Sequence, residues 1–191
     1  MRVIAGRYRG RRLHAPAWPG LRPTSDRLKE SLFAILSPIL DGAHVLDGFA
    51  GSGALGIEAL SRGAADVLFV DADGRALELV RANLEHCGVA EGYAMIRGEF
   101  AGVLDRLPAR RRFDLALLDP PYDEADLEGV LRAAAARMAD GGTLVLEHAK
   151  RRPVPAHAGP LTRVRQVIAG DSALAIYRWA SPAGPVATED V

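Results

Sequence analysis

Cysteine is nearly missing from this chain of 191 residues, with Cys87 its single example. A disulfide framework is therefore excluded, and with no charged-then-apolar leader at the N-terminus the expected compartment is the cytoplasm. No apolar run approaches the roughly 20 residues that a membrane-spanning helix needs, so no membrane partner is expected. Histidine and cysteine form no set with metal-ligand spacing, and none is expected to hold a metal. Internal repeats are absent, and the formal net charge is zero. What is left is an ordinary soluble domain, 49% hydrophobic and 25% charged, long enough to bury a proper core and expected to be a monomer.

The zero charge hides a lopsided distribution. Residues 1–30 carry eight Lys or Arg against Asp26 and Glu30, a surplus of six that the rest of the chain must offset. An arginine-rich arm on a catalytic body most often meets nucleic acid, because the planar guanidinium grips phosphate and stacks on bases. The alternative is a solvated tail. Against it, RVIAGRYRGRRLHAP alternates short apolar and basic pieces around Gly6 and Gly10, the pattern of a small hairpin. Arg7, Arg9, Arg11, Arg12 and Arg22 are thus candidate RNA contacts, with Tyr8 and Trp18 available for stacking or for packing. After Pro16, Pro19 and Pro23 a helix is predicted to start at Thr24 or Ser25, with Leu28, Leu32, Ile35, Leu36 and Ile39 on its buried face and Arg27, Lys29 and Glu30 in solvent.

The stretch from His44 to Gly56, HVLDGFAGSGALG, reads as an apolar strand that stops at an acid and opens into a glycine-rich turn. Gly51, Gly53 and Gly56 satisfy the dinucleotide fingerprint G-x-G-x-x-G, and Asp71 lies where such folds place a ribose-binding acid. Asp47 argues otherwise. A pyrophosphate site has no use for an extra anion four residues ahead of its first glycine, whereas a cationic ligand such as S-adenosylmethionine does. The turn D-x-F-x-G-x-G, from Asp47 and Phe49 to Gly51 and Gly53, resembles the first motif of Rossmann-like methyltransferases.

Further along, Ala54 to Arg62 is predicted as a helix closed by Gly63, and Asp66 to Asp71 as a buried strand ending in an acid placed to accept bonds from ribose hydroxyls. Asp73 is the predicted N-cap of a helix that closes at Gly88. Tyr93 to Ile96 forms a third strand.

A second informative stretch is FDLALLDPPY, from Phe113 to Tyr122. An apolar strand delivers Asp119, Pro120, Pro121 and Tyr122 to the same sheet edge as Asp47 and Asp71, and the two prolines stiffen the backbone around the acid. This set suits methylation of a planar exocyclic amine. Asp119 and a carbonyl near Pro120 accept hydrogen bonds from the amine and favour a pyramidal nitrogen, while Tyr122 stacks on the base and keeps it in line.

DPPY resembles the (D/N)PP(Y/F) motif of amino methyltransferases. Together with RVIAGRYRGRRL, RPTSDRLKESLFAIL and DGFAGSGALGIEALSRGA it is similar to the small-subunit ribosomal RNA guanine-N2 methyltransferases, the RsmD family, from Arg2 to about Trp179. The resemblance implies a Rossmann-like α/β fold with a seven-stranded, mostly parallel sheet whose last strand is antiparallel. It also implies S-adenosylmethionine as cofactor and methylation of a guanine 2-amino group of 16S rRNA in an assembling small subunit. Asp47, Phe49, Gly51, Ser52 and Gly53 then belong to the first cofactor motif, Asp71 and Ala72 to the second, Glu99 and Phe100 to an adenine-bordering loop, and Asp119 to Tyr122 to the catalytic motif. Gly48 departs from the pattern, which leads one to expect a larger apolar residue there.

Leu127, Val130, Leu131, Ala134 and Met138 mark a further helix, Asp140 to Gly142 a turn, and Thr143 to Glu147 a strand. Leu161 to Ile168 and Ser172 to Trp179 form a closing hairpin, and residues 181–191 read as a disordered tail. The expected organisation is an arm over residues 1–22 and a catalytic domain over 23–180. A DNA adenine-N6 methyltransferase would share DPPY but usually carries a separate sequence-reading domain. A protein-glutamine methyltransferase would not need the basic arm, and a non-enzymatic RNA-binding protein would leave Asp47 and DPPY without work.

Overall fold

The computed structural model describes residues 1–16, 26–122 and 124–179, the side chain of Arg27 excepted. Arg22, Trp18, Pro19, Pro23, the Thr24/Ser25 cap and the tail at 181–191 lie outside the described residues. Among the described residues eight strands form one sheet: β1 (His44–Gly48), β2 (Asp66–Asp71), β3 (Tyr93–Arg97), β4 (Phe113–Leu118), β5 (Met138–Ala149), β6 (His157–Ala158), β7 (Leu161–Ala169) and β8 (Ser172–Trp179). Their order is β3-β2-β1-β4-β5-β8-β7-β6. Strands β1 to β5 pair in parallel, and β8 inserts antiparallel between β5 and β7. The sheet exceeds the expected seven strands by the two-residue β6, which pairs with β7 through His157 and Ala158.

Among the described residues five α-helices cover the sheet: α1 (Asp26–Leu36), α2 (Ala54–Ser61), α3 (Gly74–Cys87), α4 (Phe100–Arg106) and α5 (Leu127–Ala135). Strand residues alternate between two apolar layers. Val45, Leu115, Leu117 and Val145 join α1, α2 and α3 on one face, while Leu46, Ala116, Leu118, Leu144 and Leu146 join α4 and α5 on the other. Asp73 caps α3 by accepting from the Arg75 N–H at 2.9 Å, and Gly88 closes it in the left-handed conformation, as the sequence predicts.

Several boundaries differ from expectation. Helix α1 ends at Leu36, so Ile39, expected on it, falls in the short 3-10 helix Ser37–Ile39 that contains Pro38. Helix α2 stops at Ser61, one residue early, with Arg62 as its cap. Helix α5 ends at Ala135, so Met138 lies on β5 instead of the helix; its side chain is buried either way, which is why spacing did not separate the two. Asp140 to Gly142 fall within β5, at an irregular stretch where the β4–β5 register shifts and Gly141 has φ 79°.

The basic arm is a loose hairpin closed by one bridge, Arg2 to Arg12. It is bound to the body by buried polar groups. Val3 and Leu13 enter the core, and the Ile4 and Ala5 N–H groups donate to the two Glu58 carboxylate oxygens at 2.8 and 3.0 Å. Arg7 N–H donates to the Ser61 carbonyl at 2.7 Å. At that crossing Gly6 cannot be replaced, since a Cβ there would lie 1.8 Å from the Ser61 oxygen. Lys29, expected in solvent, is fully buried: it pairs with Glu58 at 3.3 Å and donates to the Arg2 carbonyl. Burial pushes its ammonium below the usual lysine range, against the pull of Glu58. The correction has a physical reason, because a buried Glu58 needs cations, and Lys29 and Arg62 (2.7 Å) supply them.

Candidate active site

In this strand order the crevice opens where β1 and β4 send their chains to opposite sides, at the carboxyl ends of the strands. The turn from β1 to α2 forms one wall. Gly53, in the left-handed conformation, is the N-cap of α2, and Phe49 holds φ 61° although it has a side chain. Such a conformation stores strain of order 1–3 kcal/mol and clusters at functional turns. Asp47, 2% exposed, accepts from the Gly56 N–H at 2.9 Å. Gly56 is required here: a Cβ would stand 2.4 Å from the Phe69 ring and 2.7 Å from the Asp47 carboxylate. Burial pushes the Asp47 carboxyl up to about 8; the Asp71 charge adds to this and the Gly56 bond opposes it.

Asp71, at the end of β2, fastens the same turn. One oxygen accepts from Gly51 N–H and the other from Asp73 N–H, both at 2.9 Å. Ala72 is exposed, and its carbonyl accepts from Arg97 at 3.2 Å. Ser52 is half-buried, with its hydroxyl 3.7 Å from the Met1 sulfur. Glu99 is exposed at the start of α4 and makes no side-chain cap bond. Phe100 is buried, its ring stacked on Phe49 at 4.9 Å. The Gly48 departure follows from this ring, since a Cβ on Gly48 would meet it at 2.4 Å.

The loop after β4 forms the other wall. Asp119 N–H reaches the Gly48 carbonyl at 3.3 Å, joining the two walls through backbone. The register sets Asp47 beside Leu117 and Leu117 beside Val145, so Asp119 comes level with Glu147, two residues on along β5. Asp47, Asp119 and Glu147 thus stand together across three neighbouring strands. Burial raises Asp119 well above the usual carboxylate range, with the charges of Glu147 and Asp47 adding to it. Pro120 is buried and Pro121 exposed. Tyr122, 37% exposed, places its hydroxyl 2.5 Å from Ser172 Oγ. The Arg152 guanidinium donates to the Tyr122 carbonyl at 2.9 Å and to that of Glu124.

Sequence reasoning missed Glu147, Arg152, Ser172 and Asn83. Glu147 had a signal, the same acid at the end of an apolar strand that picked out Asp71. Asn83, fully buried on α3, had none. It donates to the Ser52 carbonyl at 2.9 Å and exchanges two bonds with the His14 backbone at 2.7 and 3.1 Å, so it ties the arm to the glycine turn. Arg7, Arg9, Arg11 and Arg12 are all exposed along that arm. Tyr8 is half-buried and packs on the core, under the Arg7 guanidinium at 5.6 Å.

Known proteins resemble this chain in sequence and in fold. The Ribosomal RNA small subunit methyltransferase D of Escherichia coli is 31% identical over 180 residues, covering 93% of this chain and 89% of that protein. The Bacillus subtilis protein YlbH is 38% identical over 181 residues, 93% of this chain and 98% of its own. A family model described as Conserved hypothetical protein 95 matches residues 1–178. The chain belongs to that family, the RsmD-type ribosomal RNA methyltransferases. The solved structure of Escherichia coli YhhF superposes with a TM-score of 0.79 at 32% identity, over 94% of this chain and 97% of that one. The RsmD family and its class I methyltransferase fold, both expected from the sequence, are thereby borne out.

Proposed function

We propose that this RsmD-family chain methylates the exocyclic 2-amino group of a guanine in 16S rRNA, acting as a cytoplasmic monomer on the assembling small subunit. The observation that carries this reading is the placement of Asp119 level with Glu147 and next to Asp47, beside the stiff Pro120-Pro121-Tyr122 loop.

The residues fit S-adenosylmethionine. Asp47 is a buried carboxylate that pairs with no Lys or Arg among the described residues, and a ligand bearing an ammonium and a sulfonium brings the missing positive charge. Asp47, Phe49, Gly51, Ser52 and Gly53 would hold its methionine end, Asp71 and Ala72 its ribose, and Glu99 and Phe100 would border its adenine. When bound, it supplies a methyl group on a sulfur that leaves as a neutral thioether. Asp119 and the Pro120 carbonyl accept the hydrogens of the target amine and free its lone pair from the ring. Tyr122 stacks on the base, which must be unpaired or flipped out to reach the site. As the nitrogen turns positive, Asp119 takes its proton, a task suited to a carboxylate whose proton affinity is raised.

The test is single-turnover transfer of labelled methyl to small-subunit particles lacking the modification, followed by mapping of the product. Label at guanine N2 is expected; label on another rRNA base, on a ribosomal-protein glutamine, or nowhere overturns the reading. The arm is assigned to RNA backbone. Replacing Arg7, Arg9, Arg11 and Arg12 with Gln should weaken RNA binding and flatten its salt dependence by roughly 0.7–0.9 per lost contact. Cofactor affinity, read by calorimetry, should stay unchanged.

A further inference from the structure

Residues 148–170 contain Lys150, Arg151, Arg152, Arg163 and Arg165 and not one Asp or Glu. This is a second basic stretch, far in sequence from the arm. The fold brings its first three residues to the catalytic loop. Lys150 N–H donates to the Asp171 carbonyl and Arg152 N–H to that of Ala149, both at 2.8 Å, so the turn after β5 is held from two sides. Arg152 then reaches the Tyr122 carbonyl at 2.9 Å through its guanidinium, and Lys150 and Arg151 lie within about 7 Å of chain from Arg152 itself. Lys150 and Arg151 are exposed, and among the described residues neither is paired with a carboxylate.

Strand order supplies the second observation. The arm rests on α2 and α3, which follow β1 and β2, whereas this turn follows β5. The loop after β4 lies between them. An enzyme acting on a base drawn out of its stack must hold the strand on both sides of that base, and one basic element on each flank does so.

We infer that Lys150 and Arg151 are a second RNA contact, gripping backbone phosphate on the side of the target guanine opposite the arm. This rests on the rRNA methyltransferase reading above and adds to it where the substrate strand leaves the site. Cation and phosphate suffice for the contact, which carries no sequence information.

The experiment compares the full-length protein with K150Q/R151Q and with R110Q/R112Q, which removes the same charge ahead of β4 at the opposite ends of the strands. Binding to protein-free 16S rRNA is measured from low to physiological salt, alongside methylation of small-subunit particles and calorimetry with S-adenosylmethionine. For K150Q/R151Q the salt slope should fall by about 1.4–1.8, two contacts at 0.7–0.9 each. Its RNA affinity should drop several-fold, cofactor affinity should stay within twofold, and R110Q/R112Q should behave as wild type. An unchanged slope in K150Q/R151Q overturns the inference alone. So does an equal loss in R110Q/R112Q, which would mean overall charge. A defect seen on particles but not on free rRNA would mean a ribosomal-protein contact and also overturns it. Wild-type protein that binds no RNA removes the rRNA reading and this inference together.

Discussion

The two walls of the crevice are built by opposite means. The turn after β1 is mostly local: its glycines, its strained Phe49 and the Asp47–Gly56 bond lie within ten residues of chain, with Asp71 and Asn83 as distant supports. The loop after β4 is short and proline-stiffened, yet its far end is held from Arg152 and Ser172, 30 and 50 residues away. The first wall must approach a ligand through bare backbone, so side chains are removed from it. On the function proposed above, the second presents a carboxylate and a ring at fixed angles to a large substrate, and it is braced from outside.

This contrast can be tested in descending order of effect. Asp119→Ala should cost a factor of roughly 10²–10³ in single-turnover rate, the usual loss when a group acting mainly in the transition state is removed. Cofactor binding should survive, since Asp119 belongs to the second wall. Near-normal turnover would reduce DPPY to a rigid turn.

The first wall should respond to pH. Folding raises the Asp47 carboxyl to about 8, so the folded state holds a proton that the unfolded chain gives up near pH 4. The linkage sign is then negative: stability of the free protein falls as pH rises from about 4 towards 8. A cationic ligand needs the ionised form, so its affinity should weaken by about tenfold per unit as pH drops below 8. Calorimetry from pH 6 to 9 reads both proton release and affinity; Asp47→Asn should bind weakly with no such slope. A flat wild-type profile would place the ligand's charge elsewhere.

Adding one methyl should break the first wall where it would spare most of the second. Gly56→Ala drives a Cβ to 2.4 Å from the Phe69 ring, and overpacking of this kind costs about 1–3 kcal/mol. A lowered melting temperature with cofactor binding lost in step is expected; an unchanged melt would mean the turn relaxes freely.

The smallest effects lie in the external bracing. Tyr122→Phe and Ser172→Ala each delete the same hydrogen bond, worth about 1 kcal/mol, and the double variant should turn over no more slowly than either single one. Tyr122→Ala should be worse, since loss of a stacking aromatic costs about 1–3 kcal/mol per base. Additive losses in the double variant would show that the two side chains act separately.

Much of the site could be read from the chain because its signals are local. An acid at the end of an apolar strand, a glycine turn and a proline pair each state their geometry within a few residues, and Asp47, Asp71 and Asp119 all lie at the carboxyl ends of their strands in the structure. The basic arm was equally legible as a charge surplus. Its attachment was not, because Lys29 on an amphipathic helix looks like a solvated residue until Glu58 is known to be buried opposite it. Asn83 gave no signal either, since a polar residue in a helix says nothing about which backbone it will satisfy. The strand boundary at Met138 was missed because a buried methionine fits helix and strand alike.

Motifs and the family resemblance they carry were enough for the fold class, the family and the placing of acids at the strand ends, since these depend on backbone conformation and residue type over short spans. Tertiary structure alone decided which distant residues serve them. Glu147 beside Asp119, Arg152 and Ser172 on the loop after β4, and Asn83 between arm and glycine turn are pairings made by strand order and register. A buried polar group takes its partner from whatever the fold places within hydrogen-bond reach, and sequence distance has no bearing on that.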